Sequence, residues 1–383
     1  MIVSHLVVKN WRNFRSVDVP LTERMFLIGP NASGKSNLLD VFRFLRDIAK
    51  PGGGLQQAVS QRGGLSKIRC LAARREPDVE ISVQLSENER GPTWEYSVGI
   101  KQQVRGYRQP ELVYERVRQG NRVILERPDD DDKKDILRLT QTHLEQINAN
   151  QRFREIARLF ESVLYLHLVP QLLRHPEAFV GPGIPDDPFG RNFLERVAKT
   201  KEKTRKSRLR RIEKALRQAV PQLKNLRDTK DETGVPHLEA LYEHWRLRGA
   251  WQREDQFSDG TLRLIGLFWS LLDGDSPLLL EEPELSLNPA IVSRLPALIF
   301  RLQRQRKRQV LMSTHSADLL SGKGIGGEEV LLLTPDTEGT RVQLASSIRE
   351  VRDLLDAGLS PADAALPHII TLSLDQLDVL ADE

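Results

Sequence analysis

The sequence predicts an α/β protein in which two ends of the chain build a phosphate-binding core. Between them it predicts an inserted antiparallel sheet and a helical, basic insertion. Three observations carry this reading. "GPNASGKS", residues 29 to 36, stands between the apolar run "MFLI" and a helical spacing, the strand–loop–helix order that a phosphate loop demands. From residue 257 onward the pattern alternates helix, apolar strand, helix, apolar strand, as a parallel sheet requires. Residues 78 to 127 instead hold the short runs "DVEISVQL", "WEYSVGI" and "RVILER", which read as antiparallel strands.

Taken in order, "HLVVKNW" and "RMFLIG" are strands by their β-branched and apolar content. "NLLDVFRFLRDIAK" has helical spacing, and Pro51 with three glycines stops it. "PDDDDKKD" reads as a solvated loop and helix start, and a bare aspartate run rarely supplies converging metal ligands. Residues 136 to 160 look helical, "SVLYLHLV" is a buried strand, "GPGIPDDP" is an irregular loop, and 190 to 219 form a long helical stretch. The expected division is an N-terminal lobe (1–135), a helical insertion with the basic helix (136–250), a C-terminal lobe (251–345) and a tail (346–383). No internal repeat is found.

The chain has 383 residues, 39% of them hydrophobic, enough for one large or two modest domains. A formal net charge of +4 proves no polyanionic partner, so the distribution of charge must be read. The single cysteine, Cys70, rules out an internal disulfide framework and suits a reducing compartment. No window reaches the roughly 18 apolar residues of a membrane span, and the start carries no signal peptide. A soluble cytoplasmic protein without membrane contact is expected.

The phosphate loop comprises Gly29, Pro30, Asn31, Ala32, Ser33, Gly34, Lys35 and Ser36. The two glycines let the backbone close on an anion, so that N–H groups and a helix N-terminus face it. Lys35 is expected on the β and γ phosphates, and the Ser36 hydroxyl on Mg²⁺. "SPLLLEEPE" is a short buried strand ending in Glu281 and Glu282. A carboxylate there can hold the water shell of Mg²⁺ and its neighbour can polarise the attacking water, so Glu281 is assigned to the metal and Glu282 to the water. "QVLMSTHS" is another buried strand, and His315 just past its end can sense a γ-phosphate as a neutral imidazole. "SDGTLRLIGLFWSLL" opens with a serine-glycine turn before an amphipathic helix, and Ser258 or Asp259 can cap that helix.

These pieces, in this order, resemble an ABC-type P-loop ATPase head of the RecF and SMC group. "VVKNWRNFRSVDVPL", "IGPNASGKSNLLD", "FSDGTLRLIGL", "LLLEEPELSLNP" and "STHSADLL" carry the resemblance, over residues 1 to 50 and 255 to 320. The chain is also similar to the ATPase parts of OLD nucleases and to stand-alone ATPases of anti-phage systems such as Septu. The resemblance implies ATP and Mg²⁺ as cofactors. It implies a homodimer, or a higher even oligomer, with ATP held between the phosphate loop of one chain and Ser258, Asp259 and Gly260 of another. It places Arg12 and Asn13 near the nucleotide and Ser286 in the D-loop. Gln171 is a candidate for the Mg²⁺-sensing glutamine, in competition with Gln56, Gln57 and Gln84. Asn288 departs from the pattern, standing where these relatives carry His before Pro. "LLDAGLSPADAAL" resembles the approach to a Toprim nuclease domain, but no Asp-x-Asp pair follows it, so no nuclease domain is expected.

Residues 196 to 217 hold eleven Lys or Arg against two Glu. On a helix that density makes at least one positive stripe, able to neutralise phosphates of DNA or RNA without reading sequence. A solvated helical hairpin is the competing reading. "RLQRQRKRQ", 301 to 309, is a second basic cluster that can simply finish a helix. No aromatic interleaves with either cluster, which argues against base stacking. The preferred function is an ATP-hydrolysing homodimeric clamp that binds nucleic acid and controls a separate effector, expected to be a nuclease, in anti-phage defence or DNA repair. The alternatives are a recombination or repair loader without nuclease, and a largely non-hydrolysing ATP-bound scaffold that holds a toxin.

Overall fold

A computed structural model describes the chain except residues 74–77, 88–92, 104–107, 177–186, 244–249, 323 and 370–383. Most of the expected loop "GPGIPDDP" and the end of the tail lie outside the described residues. The chain begins with β1 (Ile2–Trp11), β2 (Phe14–Pro20) and β3 (Arg24–Ile28). The phosphate-loop helix Lys35–Ala49 follows. Next come β4 (Val79–Ser86), β5 (Trp94–Gln102), β6 (Pro110–Gln119) and β7 (Arg122–Arg127). The middle holds β8 (Leu164–Leu166), β9 (Leu223–Lys230), β10 (Pro236–Tyr242) and β11 (Ala250–Arg253). The last part carries β12 (Leu278–Glu281), β13 (Val310–Thr314), β14 (Val330–Asp336) and β15 (Gly339–Leu344).

These strands form three sheets. A six-stranded antiparallel sheet has the order β2-β1-β4-β5-β6-β7, and a small sheet has the order β11-β10-β9. The core sheet has the order β15-β14-β3-β13-β12-β8. In it β14, β3, β13, β12 and β8 run parallel, and β15 closes the edge antiparallel. Its central strands are buried on both faces, and alternation along each one feeds two cores. Leu27, Leu279, Leu311 and Leu331 face the antiparallel sheet and the phosphate-loop helix. Phe26, Ile28, Leu278, Leu280, Val310 and Met312 face the helix Asp259–Leu272. The C-terminal ends of β3, β12 and β13 therefore come out side by side on one edge, where ligands of such sheets bind.

The middle of the chain differs from a helical insertion. β8 pairs with β12 and completes the core sheet, while β9 to β11 make a sheet of their own. Between 136 and 160 only short 3₁₀ turns and the helix Arg154–Glu161 form. The reason is competition for carbonyls. Arg127 takes those of Arg138 and Gln141, and Gln56 takes that of Thr140. A helical ladder would need the same groups. The stretch 190 to 219 breaks into helices Phe193–Lys199 and Glu202–Leu216. The Arg205 guanidinium caps the first by binding the carbonyls of Ala198 and Thr200. In "PDDDDKKD", Asp129 caps a short helix, and Asp132 is fully buried against Arg127, which also pairs with buried Glu115.

Candidate functional site

The phosphate loop turns on residues that need left-handed or crowded backbone. Ala32 has φ of 61° and Gly34 has φ of 95°. A Cβ on Gly34 would lie 2.2 Å from the Asn13 amide, and one on Gly29 would lie 2.5 Å from the Leu333 carbonyl. Both glycines are therefore required by packing as well as by turn geometry. Asn13 braces the loop from outside. Its Nδ2 donates to the Ser33 carbonyl and to Thr340 Oγ1, and its Oδ1 accepts from Asn37. Pro30 and Asn31 complete the turn before the helix opens at Lys35.

Lys35 folds back onto the loop, donating from Nζ to the carbonyls of Gly29 at 2.9 Å and Pro30 at 3.1 Å. Burial lowers its pKa to about 8, against the raising pull of Glu282, Glu281 and Glu284. His315 Nδ1 lies 3.5 Å from Lys35 Nζ, and its Nε2 lies 3.1 Å from Glu282 Oε1. An ammonium can only donate, so Nδ1 accepts and Nε2 carries the proton toward Glu282. Burial first, then the charge of Lys35, lowers the His315 pKa against the pull of Glu282. The imidazole is thus neutral at pH 7.

The two strand-end glutamates have different surroundings. The Ser36 hydroxyl donates to Glu281 Oε1, and the Tyr165 hydroxyl donates to Oε2. Tyr165 comes from β8, beside β12, and Arg43 stacks 4.2 Å over its ring. Glu282 sits at φ of 44° with its N–H on the Ser313 carbonyl. The strained backbone turns it out of the strand, toward His315. Glu284 is buried beneath, and its Oε1 accepts from Thr314 Oγ1 and from the His315 N–H. It fixes the backbone that carries the imidazole.

Next to Ser36 a cleft of about 420 Å³ is lined by Arg12, Asp40, Arg43 and Arg62. Arg12 pairs with Asp40 at 3.1 Å and Arg62 with Asp40 at 2.8 Å. Burial opposes ionisation of Asp40, but the hydrogen bond and charge of Arg62, with Arg43 and Arg12, outweigh it and hold its carboxyl below the usual range.

At the serine-glycine turn, Ser258 caps the helix Asp259–Leu272 by accepting from the Thr261 N–H at 3.2 Å. A Cβ on Gly260 would lie 2.8 Å from the Ser286 carbonyl, so this turn packs on the loop after β12 of its own chain. Ser286 itself has φ of 62°. Gln171 is not with Ser36 or Glu281. Its amide donates to Asp259 at 2.9 Å, because the short helix Pro170–Arg174 lies against the turn. Asn288 caps the next short helix by accepting from the Ala290 N–H, so its side chain has a structural task there.

The residues present fit a triphosphate and a divalent cation. Gly29 and Gly34 hold the loop in a turn that the packing of Leu333 and Asn13 leaves to glycine, and Lys35, Ser36, Glu281 and Glu282 converge on its rim. Among the described residues no group of three or more His, Cys, Asp or Glu gathers to hold a metal alone. Two oxygens, one from Ser36 and one from Glu281, suit Mg²⁺, which keeps waters and takes phosphate oxygens for the rest of its shell.

The basic helix is amphipathic in charge. Leu209, Ile212 and Leu216 are buried, Arg205 pairs with Asp228, and Arg208 pairs with Asp273 and lies over Trp269. Lys203, Lys206, Arg210, Lys214 and Arg217 are exposed. At about 100° per residue these five fall on one face, opposite the buried one. Arg211 Nη2 reaches Gln305 Oε1 at 3.4 Å, so the fold brings the 301–309 cluster beside this helix. The helix packs on the body and forms no projecting hairpin.

No curated protein matches the chain. Two solved structures are similar across most of its length. One is "Crystal structure of the SmcHead bound to the C-winged helix domain of ScpA", with TM-score 0.50 and 14% identity, covering 90% of this chain and 97% of that one. The other is an Smc head domain with a coiled coil and joint from Pyrococcus yayanosii, with TM-score 0.50 and 12% identity, covering 93% and 99%. At these identities the likeness is one of fold, that of an Smc head domain. The family model described as "AAA domain, putative AbiEii toxin, Type IV TA system" matches residues 24–321. With most of its length inside that match, the chain belongs to this AAA-domain family of ATPases.

Proposed function

We propose that the protein is an ATP-hydrolysing clamp that closes as a homodimer, binds DNA or RNA, and controls a separate effector, in anti-phage defence or DNA repair. The observation that carries the reading is the convergence of Lys35, Ser36, Glu281, Glu282 and His315 on one sheet edge. Each has a separable task there. Lys35, released from its two loop carbonyls, donates to phosphate oxygens. Ser36 and Glu281 hold the cation, whose charge offsets that of the phosphates. Glu282 is turned out of its strand and accepts the proton of the attacking water, while the neutral His315 keeps one N–H to donate. The serine-glycine turn, at the N-terminus of a fourteen-residue helix, is suited to meet the phosphates bound by a second chain. The exposed cations of the basic helix support nucleic-acid binding. An effector nuclease is favoured by the sequence resemblance alone.

Glu282→Gln should keep ATP binding, lose turnover and accumulate an ATP-dependent dimer on a sizing column. Lys35→Ala should lose nucleotide binding, and Ser258→Arg should block the dimer while sparing the affinity of the single chain. Wild-type hydrolysis by both Glu282→Gln and Lys35→Ala would end the site assignment.

A further inference from the structure

The serine-glycine turn has a feature at odds with its proposed task. Its middle residue is Asp259, a carboxylate at the N-terminus of the helix that is to meet phosphate. Within the chain this charge suits the helix end. Against a triphosphate it is a like charge. Two donors from the short helix Pro170–Arg174 hold it. Arg174 Nη2 donates to Asp259 Oδ1 at 2.6 Å and to the Phe257 carbonyl at 2.7 Å, and Gln171 Nε2 donates to Oδ2 at 2.9 Å. One guanidinium nitrogen thus touches the residues on both sides of Ser258. The ion pair is well placed to matter, since the Arg174 side chain is 19% exposed and that of Asp259 34%. Arg174 Nε is buried without a hydrogen-bond partner among the described residues, so the group is held here for its charge more than for a full set of hydrogen bonds.

We propose that Arg174 is a positioning residue of the composite site: it neutralises Asp259, and so makes an acidic turn able to dock on the triphosphate held by a second chain. The inference rests on the ATP-sandwich reading. Gln171 then serves the turn as a donor to the same carboxylate.

The test uses the full chain in the Glu282→Gln background, with ATP and Mg²⁺, and reads dimerisation by light scattering. Arg174→Ala should weaken ATP-dependent dimerisation on the order of tenfold or more, since it uncovers a carboxylate facing phosphate. Arg174→Lys, which keeps the charge, should retain most of it. Adding Asp259→Asn to Arg174→Ala should restore the dimer, and raising the salt should shrink the defect of the single variant, because a like-charge penalty is screened. A merely structural tether would not be repaired by removing its other end. If Asp259→Asn fails to restore the dimer, or Arg174→Ala leaves it intact, the inference is overturned while the sandwich stands. If the Glu282→Gln parent itself forms no ATP-dependent dimer, or Ser258→Arg does not disturb it, the sandwich fails and takes the inference with it.

Discussion

The charged face of the helix Glu202–Leu216 permits a quantitative test. Lys203, Lys206, Arg210, Lys214 and Arg217 lie on one stripe, and from the first to the last the helix rises about 21 Å at 1.5 Å per residue. If each neutralises one phosphate of duplex DNA, the five contribute about −4.5 to the slope of log affinity against log salt. Between 50 and 200 mM salt that share alone weakens binding by about 500-fold. Changing all five to Gln should remove this share, giving a shallower slope and a large loss of affinity at low salt. ATP affinity should be unchanged. Filter binding at several salt concentrations, on wild type and the five-fold variant, measures both. Equal slopes and equal affinities would refute the assignment. Arg205→Gln is the internal control. Its guanidinium pairs with Asp228 and caps the preceding helix, so it should cost stability and leave the salt slope alone.

Two further outcomes follow from buried groups. Asp132→Ala should lower the urea midpoint, since it takes away the acceptors of Arg127 Nε and Nη2 and of the Asp129 N–H and leaves Glu115 as the one carboxylate on buried Arg127. Glu145 has its pKa raised to about 7 by burial, against the donors Leu55 N–H and Thr142 Oγ1. The stability it contributes is therefore present in full near pH 4 and lost as pH rises through 7, by about 3 kcal/mol at most. Glu145→Gln should narrow the gap in Tm between pH 5 and pH 8, and an unchanged gap would sink this account.

The legible part of the site lies in contiguous stretches. A phosphate loop needs its glycines, lysine and serine within eight residues, and a strand end can show two glutamates in a row, so one pass along the chain meets them. The missed residues are brought in from elsewhere. Tyr165 reaches Glu281 only because β8 joins the core sheet beside β12, and a three-residue strand announces neither its sheet nor its neighbours. Arg12, which the resemblance places near the nucleotide, is joined there by Asp40 and Arg62 from two other stretches that no motif marks. The resemblance makes Gln171 a candidate at the Mg²⁺ site, but packing of its short helix gives its amide to Asp259. In the basic segment, composition could not tell exposed cations from structural ones. Arg205 and Arg208 share a helix face with Leu209 and Ile212, and that face is the one the core takes. The antiparallel sheet could be read because its period is local, whereas β9 to β11 were hidden by charged residues on their exposed faces.

The packing also bears on how the parts of one chain act on each other. The turn at Gly260 rests on the Ser286 carbonyl with no room for a Cβ. Ser286 ends a short loop that starts at Glu282, and both residues hold left-handed backbone. Within that loop Glu284 is buried and accepts from the N–H of His315. Each link is a close contact or a hydrogen bond, and close-packed interiors transmit displacement poorly absorbed by voids. The turn is thus joined by direct contacts to the loop that carries Glu282 and to the backbone that carries His315. In a closed pair, the turn of each chain would press on the nucleotide of the other. The same press would bear on Glu282 of its own chain, the glutamate proposed to activate water. The two sites of such a pair would then be linked through contacts that lie wholly within each chain.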